Sequence, residues 1–294
     1  MRITAEIRSG NLAAIHEAAA RTVKARTQLE TGKRITRPSD DPAAARQLLA
    51  YQTTASAMGS YERAASVVLL RQSILDRVSE NLVSQLTDVI NATTAALSLS
   101  DDQAGSRAAI AISSLRDGVA ADLNTIVQGE YLFSGSRATT PAFSRQDGAW
   151  VYGGDTSQVL VDIMPGRETP MSHVGSQVAQ GTADENVLNT LESLITALNA
   201  GDKDGARALL TDVNGAIARV IELQNRLGVE QAAVTSAQQR VTADRASALS
   251  SQAALEEADL VAAALELNQS DTAYRAALQA TGILNRTSLL DFLR

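Results

Sequence analysis

Residues 31–45 of this 294-residue chain read Thr-Gly-Lys-Arg-Ile-Thr-Arg-Pro-Ser-Asp-Asp-Pro-Ala-Ala-Ala, a punctuated break between two long stretches of helical periodicity. Gly32 suits the left-handed residue that closes a helix, Lys33 and Arg34 stand where cations favour a helix C-terminus, and Pro38 pushes Arg37 out of the helical region. Asp41 before Pro42 reads as an N-cap with proline at the first helical position, after which Ala43, Ala44 and Ala45 restart the helix. The pattern therefore predicts a defined joint between the first 30 residues and the rest. Asp40 and Asp41 also present paired carboxylates that could ligate a metal, but capping accounts for them without a further ligand.

The remaining sequence favours long helices over a thick globular core. Apolar content is 45% but aromatics make up only 3%, which suits helices packed through small side chains. Cysteine is absent, excluding a disulfide framework or a thiolate metal site. The N-terminal residues carry spaced charges and no apolar run of the kind a cleaved secretion signal needs, and no run approaches a membrane span. The expectation is a cytoplasmic chain, or one exported by a machine that reads an uncleaved segment. A net charge of −7 disfavours nucleic acid as a partner. Its distribution is polar, since residues 1–37 carry a net +5 and residues 251–294 a net −3. Opposite signs predict that the two ends pair, within one chain or between neighbouring copies.

Along the chain, Ile15, Ala18, Thr22, Ala25 and Leu29 make a narrow helical stripe. Ala65, Val68, Gln72, Leu75, Ser79, Leu82, Leu86 and Val89 continue the spacing in a second helix expected from 42 to about 98. Ser100-Asp101-Asp102 offers the next cap, and a third helix through Ala108, Ile112, Leu115, Val119 and Ile126 is expected to end near Gly129. Residues 130–175 hold five of the nine aromatics, Tyr131, Phe133, Phe143, Trp150 and Tyr152. That concentration marks a β insert. Asp147-Gly148 between Phe143–Gln146 and Ala149–Tyr152 is a two-residue hairpin signal, and 158–164 before Pro165-Gly166 reads as another strand.

Helical spacing resumes behind Asp184 as a cap and closes at Gly201. From about Asp204 the pattern runs almost unpunctuated to the C-terminus. Val213, Val220, Leu227, Val234, Val241 and Ala248 form a seven-residue apolar spoke, and the positions four later, Ile217, Gln224, Gln231, Gln238 and Arg245, read as an amide-rich second seam. Such a helix needs several neighbours. Towards the end, Leu255, Ala258, Ala262 and Leu265 form one stripe and Leu260, Ala264, Leu267, Tyr274 and Leu278 another.

Chemistry is sparse. His16 and His173 have no partner at metal-ligand spacing, and the glycines around 129–135 and 153–154 do not open a helix after a strand as a phosphate cradle requires. No catalytic dyad is visible, so neither an enzyme, a cofactor nor a metal is expected.

Gln28-Leu29-Glu30-Thr31-Gly32-Lys33-Arg34-Ile35 resembles the N-terminal signature of the flagellin superfamily. Arg37-Pro38-Ser39-Asp40-Asp41-Pro42-Ala43-Ala44, the entry segment Thr140-Pro141-Ala142-Phe143 and the end Ser288-Leu289-Leu290-Asp291-Phe292-Leu293 are similar to its hook-filament junction branch. The resemblance spans nearly the whole chain. It implies a mainly α fold of long antiparallel helices, a coiled-coil-like bundle with a small β insert domain mid-chain. Residues 1–41 become an inner-tube helix and joint, 42–130 and 180–250 an outer helical bundle, 131–179 a small β domain, and 251–294 the C-terminal inner-tube helix.

The implied role is a structural adaptor of the bacterial flagellum, exported without a cleaved signal peptide. Implied partners are hook-associated protein 1, flagellin, further copies of the same chain in a ring, and a flagellar export chaperone. Gly32, Lys33, Arg34, Pro38, Asp40, Asp41 and Pro42 make the joint between layers. Ile15, Ala18, Ala25, Leu29, Leu260, Leu265, Leu267, Tyr274, Leu278, Leu289, Leu290 and Phe292 line the assembly helices. A filament-forming flagellin is the alternative, and a cytoplasmic signalling coiled coil shares the heptads but has no role for an aromatic hairpin.

Overall fold

The computed structural model describes residues 2–99, 103–180 and 186–292, with side chains described over 10–99, 103–180 and 186–283. The expected caps at 100–102 and at Asp184 lie outside the described residues. The fold is mainly α: seven helices among the described residues, with three small antiparallel hairpins between the third helix and the fourth. The chain divides into two compact units, one of Met58–Ala243 and one of Met1–Ala57 with Asp244–Arg294.

In the first of these, α2 (Pro42–Ser98) and α6 (Lys203–Glu256) supply the long helices. Hydrogen bonds from Gln238 to Ser66 and from Thr242 to Glu62 show that they run antiparallel. The α2 stripe predicted from 65 to 89 is buried at every position, and Thr93 and Ala96 extend it. On α6 the predicted spoke from Val213 to Ala248 is also buried.

The second seam differs from expectation. It falls three residues after each spoke position, at Ala216, Leu223 and Ala237, with Glu230 half-buried in the series. Gln224 and Gln238 lie half-buried beside the seam and Gln231 is exposed. A 3-4 alternation is the coiled-coil period, and the seam it makes on α6 still packs against several neighbours, since Val213, Ala216, Val220, Leu223 and Leu227 share one core with residues of α2, α3 and α5. Burial pushes the Glu230 carboxyl up, against the opposing pull of Arg226 and Gln72.

Helix α3 (Ala104–Leu123) packs on α5 (Val187–Asn199), with Arg116 reaching Glu192 at 2.5 Å. At their close approach a Cβ on Gly105 would stand 2.5 Å from the Leu198 carbonyl, so only glycine fits there. Helix α3 stops at Leu123, earlier than the expected Gly129. Ile126 belongs instead to β1 (Ile126–Val127), which turns through Gln128 and Gly129, both at positive φ, into β2 (Glu130–Tyr131). A Gln-Gly turn lacks the Asn or Asp that usually announces this geometry.

The predicted hairpin forms as β3 (Phe143–Gln146) and β4 (Ala149–Tyr152), with Asp147 and Gly148 both at positive φ. The strand before Pro165 is β5 (Leu160–Met164), paired with β6 (Arg167–Pro170). Short α4 (Gly175–Ala179) follows. The insert is not held by its own sheet. Phe133 and Phe143 are buried in one core with Leu86, Ile112, Leu191 and Leu223, while Ile163 packs with Ala65, Val68, Val234 and Ala237. Asn186, the N-cap of α5, donates to the Trp150 carbonyl at 2.6 Å, and Asn189 accepts from the Trp150 N–H at 2.8 Å, clamping β4 to the helix.

His173 lies buried where the insert meets this core, its backbone N–H donating to the Leu132 carbonyl at 3.1 Å. Burial, with the positive charges of Arg226 and Arg71, lowers its pKa to about 4. The unfolded chain binds a proton near the ordinary histidine value of about 6.5, so stability is complete above that value and is lost as pH falls toward 4. Urea unfolding at pH 5 should show about 2 kcal/mol less stability than at pH 7.5. The His173→Gln variant should lose most of that difference, and an unchanged pH dependence would contradict the assignment.

Candidate assembly interface

The joint is built from two chain breaks that meet. Helix α1 (Arg2–Thr31) closes with Gly32 at φ +68, whose N–H donates to the Gln28 carbonyl at 2.8 Å, as the sequence predicted. The second break was not predicted. Helix α6 ends at Glu256, and α7 (Leu260–Phe292) begins after Asp259, whose Oδ1 accepts from Val261 at 2.9 Å and Ala262 at 3.0 Å. With no Gly or Pro between them, the only signal was an Asp ahead of an apolar run, an N-cap pattern hidden in unbroken periodicity.

Main-chain hydrogen bonds join the breaks. Arg34 N–H donates to the Glu256 carbonyl at 2.7 Å and Ala258 N–H to the Gly32 carbonyl at 2.9 Å, with Lys33 bridged antiparallel to Glu257. Side chains follow the same geometry. Lys33 Nζ lies 2.5 Å from Glu256 Oε1, and Arg34 donates to the Leu255 carbonyl at 3.2 Å. The two cations therefore serve the C-terminal end of α6, where the sequence had placed them at the end of α1. The favourable charge at a helix C-terminus is the same, on a different helix. The hydrogen bond from Lys33, then that from Gln252, holds the Glu256 carboxyl below its usual value.

Pro38 does not end α1, which has already stopped at Thr31. It occupies the second position of a turn closed by Asp40 N–H to the Arg37 carbonyl at 3.0 Å. Asp40 Oδ2 accepts from the N–H groups of Arg37 at 2.9 Å and Thr36 at 3.1 Å, which lower its pKa. Asp41 caps α2 as predicted: its Oδ1 accepts from Ala44 N–H at 3.0 Å, with Pro42 opening the helix. Its Oδ2 stands 3.3 Å from Arg34, and these bonds, the one from Ala44 foremost, lower its pKa. Both carboxylates thus serve backbone and turn. Among the described residues no group of three or more acidic, His or Cys side chains is placed to hold a metal.

Beyond the joint, α1 and α7 pack antiparallel, as the Thr22–Ser270 hydroxyl contact at 3.2 Å and the Gly32–Ala258 bond require. Ala18 and Ala25 are buried on this seam, with Ile15 and Leu29 half-buried; opposite stand buried Ala263 and Ser270 and half-buried Leu267 and Tyr274. The ends of the chain therefore meet. Among the described residues, Lys33–Glu256 at the joint is an ion pair between the two ends, while Arg21–Glu17 and Arg26–Glu30 lie within α1 and Arg275–Asp271 within α7. The buried residues of the seam, Ala18, Ala25, Ala263 and Ser270, are small. Leu260, Leu265 and Leu278, placed among the assembly residues by sequence, are exposed. The side chains of Leu289, Leu290 and Phe292 lie outside the described residues.

Two family models match the chain, the bacterial flagellin N-terminal helical region over residues 4–138 and the bacterial flagellin C-terminal helical region over residues 210–293. The chain belongs to the flagellin superfamily. A curated relative, flagellar hook-associated protein 3 of Escherichia coli (strain K12), is 28% identical over 247 residues, covering 75% of this chain and 76% of that protein. In fold, the chain is similar to a structure from Vibrio parahaemolyticus described as a flagellar hook-associated protein, at a TM-score of 0.69 and 20% identity, covering 74% of this chain and 99% of that one. It is also similar to the flagellar junction protein FlgL from Legionella pneumophila, at a TM-score of 0.55 and 15% identity, covering 73% and 100%. These relatives are named as flagellar hook-associated and junction proteins, which agrees with the structural, flagellin-like character of the chain.

The capping role of Asp41 is directly measurable. Asp41→Ala should lower the stability of the full chain by about 1 kcal/mol in urea unfolding followed by helical circular dichroism, and Asp41→Asn should recover most of it. Equal losses in the two variants would assign the effect to the Arg34 contact instead.

Proposed function

We propose that the chain is a structural adaptor of the bacterial flagellum, joining hook-associated protein 1 to the flagellin filament at the hook-filament junction. The observation that carries the reading is the pairing of α1 with α7 and the bridging of their joint, in a chain whose relatives are named for the hook and the junction. In this reading residues 1–41 and 251–294 form the inner tube, 42–130 and 180–250 the outer bundle, and 131–179 a small β domain. The joint residues Gly32 to Pro42 set the connection between layers, and the seam from Ile15 to Leu29 and from Leu260 to Phe292 carries assembly. Copies form a ring between the two lattices.

No catalytic step belongs to this role. The subunit reaches the outside through the flagellar export channel, escorted in the cytoplasm by an export chaperone. Long helices with small-residue seams and no cysteine suit passage in an unfolded state, because each helix alone is marginal in water and burial between partners supplies the missing stabilisation.

Deleting the gene should leave hooks without filaments and flagellin in the medium, with both restored by the full chain. Filaments that persist in the deletion strain, or long filaments grown by the purified chain alone, would overturn the junction role, the second outcome favouring a filament flagellin.

A further inference from the structure

At the joint a groove of about 700 Å³ opens between the turn at Pro38 and the first turns of α2. Its floor is apolar, formed by buried Ile35 and half-buried Leu48, with Leu49 at its edge 63% exposed. Exposed Arg37 and Arg46 line it as well. Lys33, the third cation, is taken by Glu256.

The same chain carries a surface of the opposite character. The face of α7 turned away from α1 begins with Val261, 81% exposed, and Leu265, 59% exposed, one helical turn apart. Exposed Glu257 precedes this helix and exposed Glu266 flanks the pair. Two aliphatic side chains standing in water on a helix whose other face is already packed leave apolar area unburied. A basic-lined apolar groove and an acid-flanked apolar ridge are complementary in both respects.

We propose that the groove of one copy receives the Val261–Leu265 ridge of α7 from the next copy, with Arg37 and Arg46 facing Glu257 and Glu266. The contact joins two different patches of the same chain, so it is heterologous and propagates from copy to copy, closing into a ring where the rotation allows. Both patches lie at the joint, which places the contact at one level around such a ring. The inference rests on the assembly role proposed above and identifies the surfaces through which copies meet.

The absence of cysteine makes the test direct. Leu49→Cys and Leu265→Cys copies, one of them tagged, are co-expressed in the deletion strain, hook-tip fractions are isolated, and disulfides are formed with a mild oxidant. The expected product is the mixed 49–265 dimer, at least tenfold above the 49–49 and 265–265 dimers. Arg46→Glu should reduce its yield about tenfold, and Glu266→Lys in the partner copy should restore it. Both sites are exposed, and an unchanged thermal melt of each free variant checks that folding is intact.

Incorporation without the mixed dimer overturns this contact while leaving the junction role standing. A dominant 49–49 product, or cross-linking of the Leu49→Cys copy to a different flagellar protein, overturns it too, by assigning another occupant. Failure of the unsubstituted chain to enter the hook-tip fraction removes the junction role, and the contact with it.

Discussion

The pairing of the two ends rests on a short stretch of main chain. Gly32, Lys33 and Arg34 run antiparallel to Glu256, Glu257 and Ala258, exchanging hydrogen bonds at 2.7 and 2.9 Å. Those bonds put two helix breaks, 224 residues apart in sequence by the Lys33–Glu257 partners, in fixed register. Everything on the α1–α7 seam inherits that register. A shift of one residue would turn Ala18, Ala25 and Ala263 away from each other and bring charged side chains onto the seam.

The seam needs this help because it is thin. Buried alanines and the Thr22–Ser270 contact remove far less apolar area than the Leu and Val ladder that α2 and α6 bury, and stabilisation scales with that area at roughly 25 cal/mol per Å². Small side chains allow close approach, and their modest burial leaves the pair dependent on its anchored end and on further neighbours. The exposed Leu12, Val23, Val261 and Leu265 are surface that such neighbours can cover. The compact unit of Met58–Ala243 is built differently, with leucines, valines and two phenylalanines in one shared core.

Much of this is legible in the sequence. Local signals with a single physical reading held: Gly32 at positive φ, Asp41 capping behind Pro42, the Asp147-Gly148 hairpin, and the 3-4 stripe from Ala65 to Val89. The errors came where one pattern serves two structures. A heptad spoke specifies one seam, and whether its companion lies three or four residues on depends on the partner helix. Lys33 and Arg34 favour any nearby helix C-terminus, and sequence proximity suggested α1 when the fold supplied α6. The break at 257–259 carries alanine and glutamate, good helix formers, so tertiary hydrogen bonding to Gly32 and Arg34 decides it. Charge asymmetry between the ends indicated their pairing correctly, and Lys33–Glu256 is an ion pair between them, although the buried residues of the α1–α7 seam are small.

Hydrogen exchange on the free full-length chain, with and without Ala258→Pro, tests the dependence of the paired ends on this bridge most directly. The substitution removes the N–H that donates to Gly32. Amides of residues 10–31 and 260–283 should then exchange at least tenfold faster, while those of 75–89 and 213–227 keep their protection. Unchanged exchange in the terminal helices, or an equal acceleration throughout the chain, would contradict that dependence.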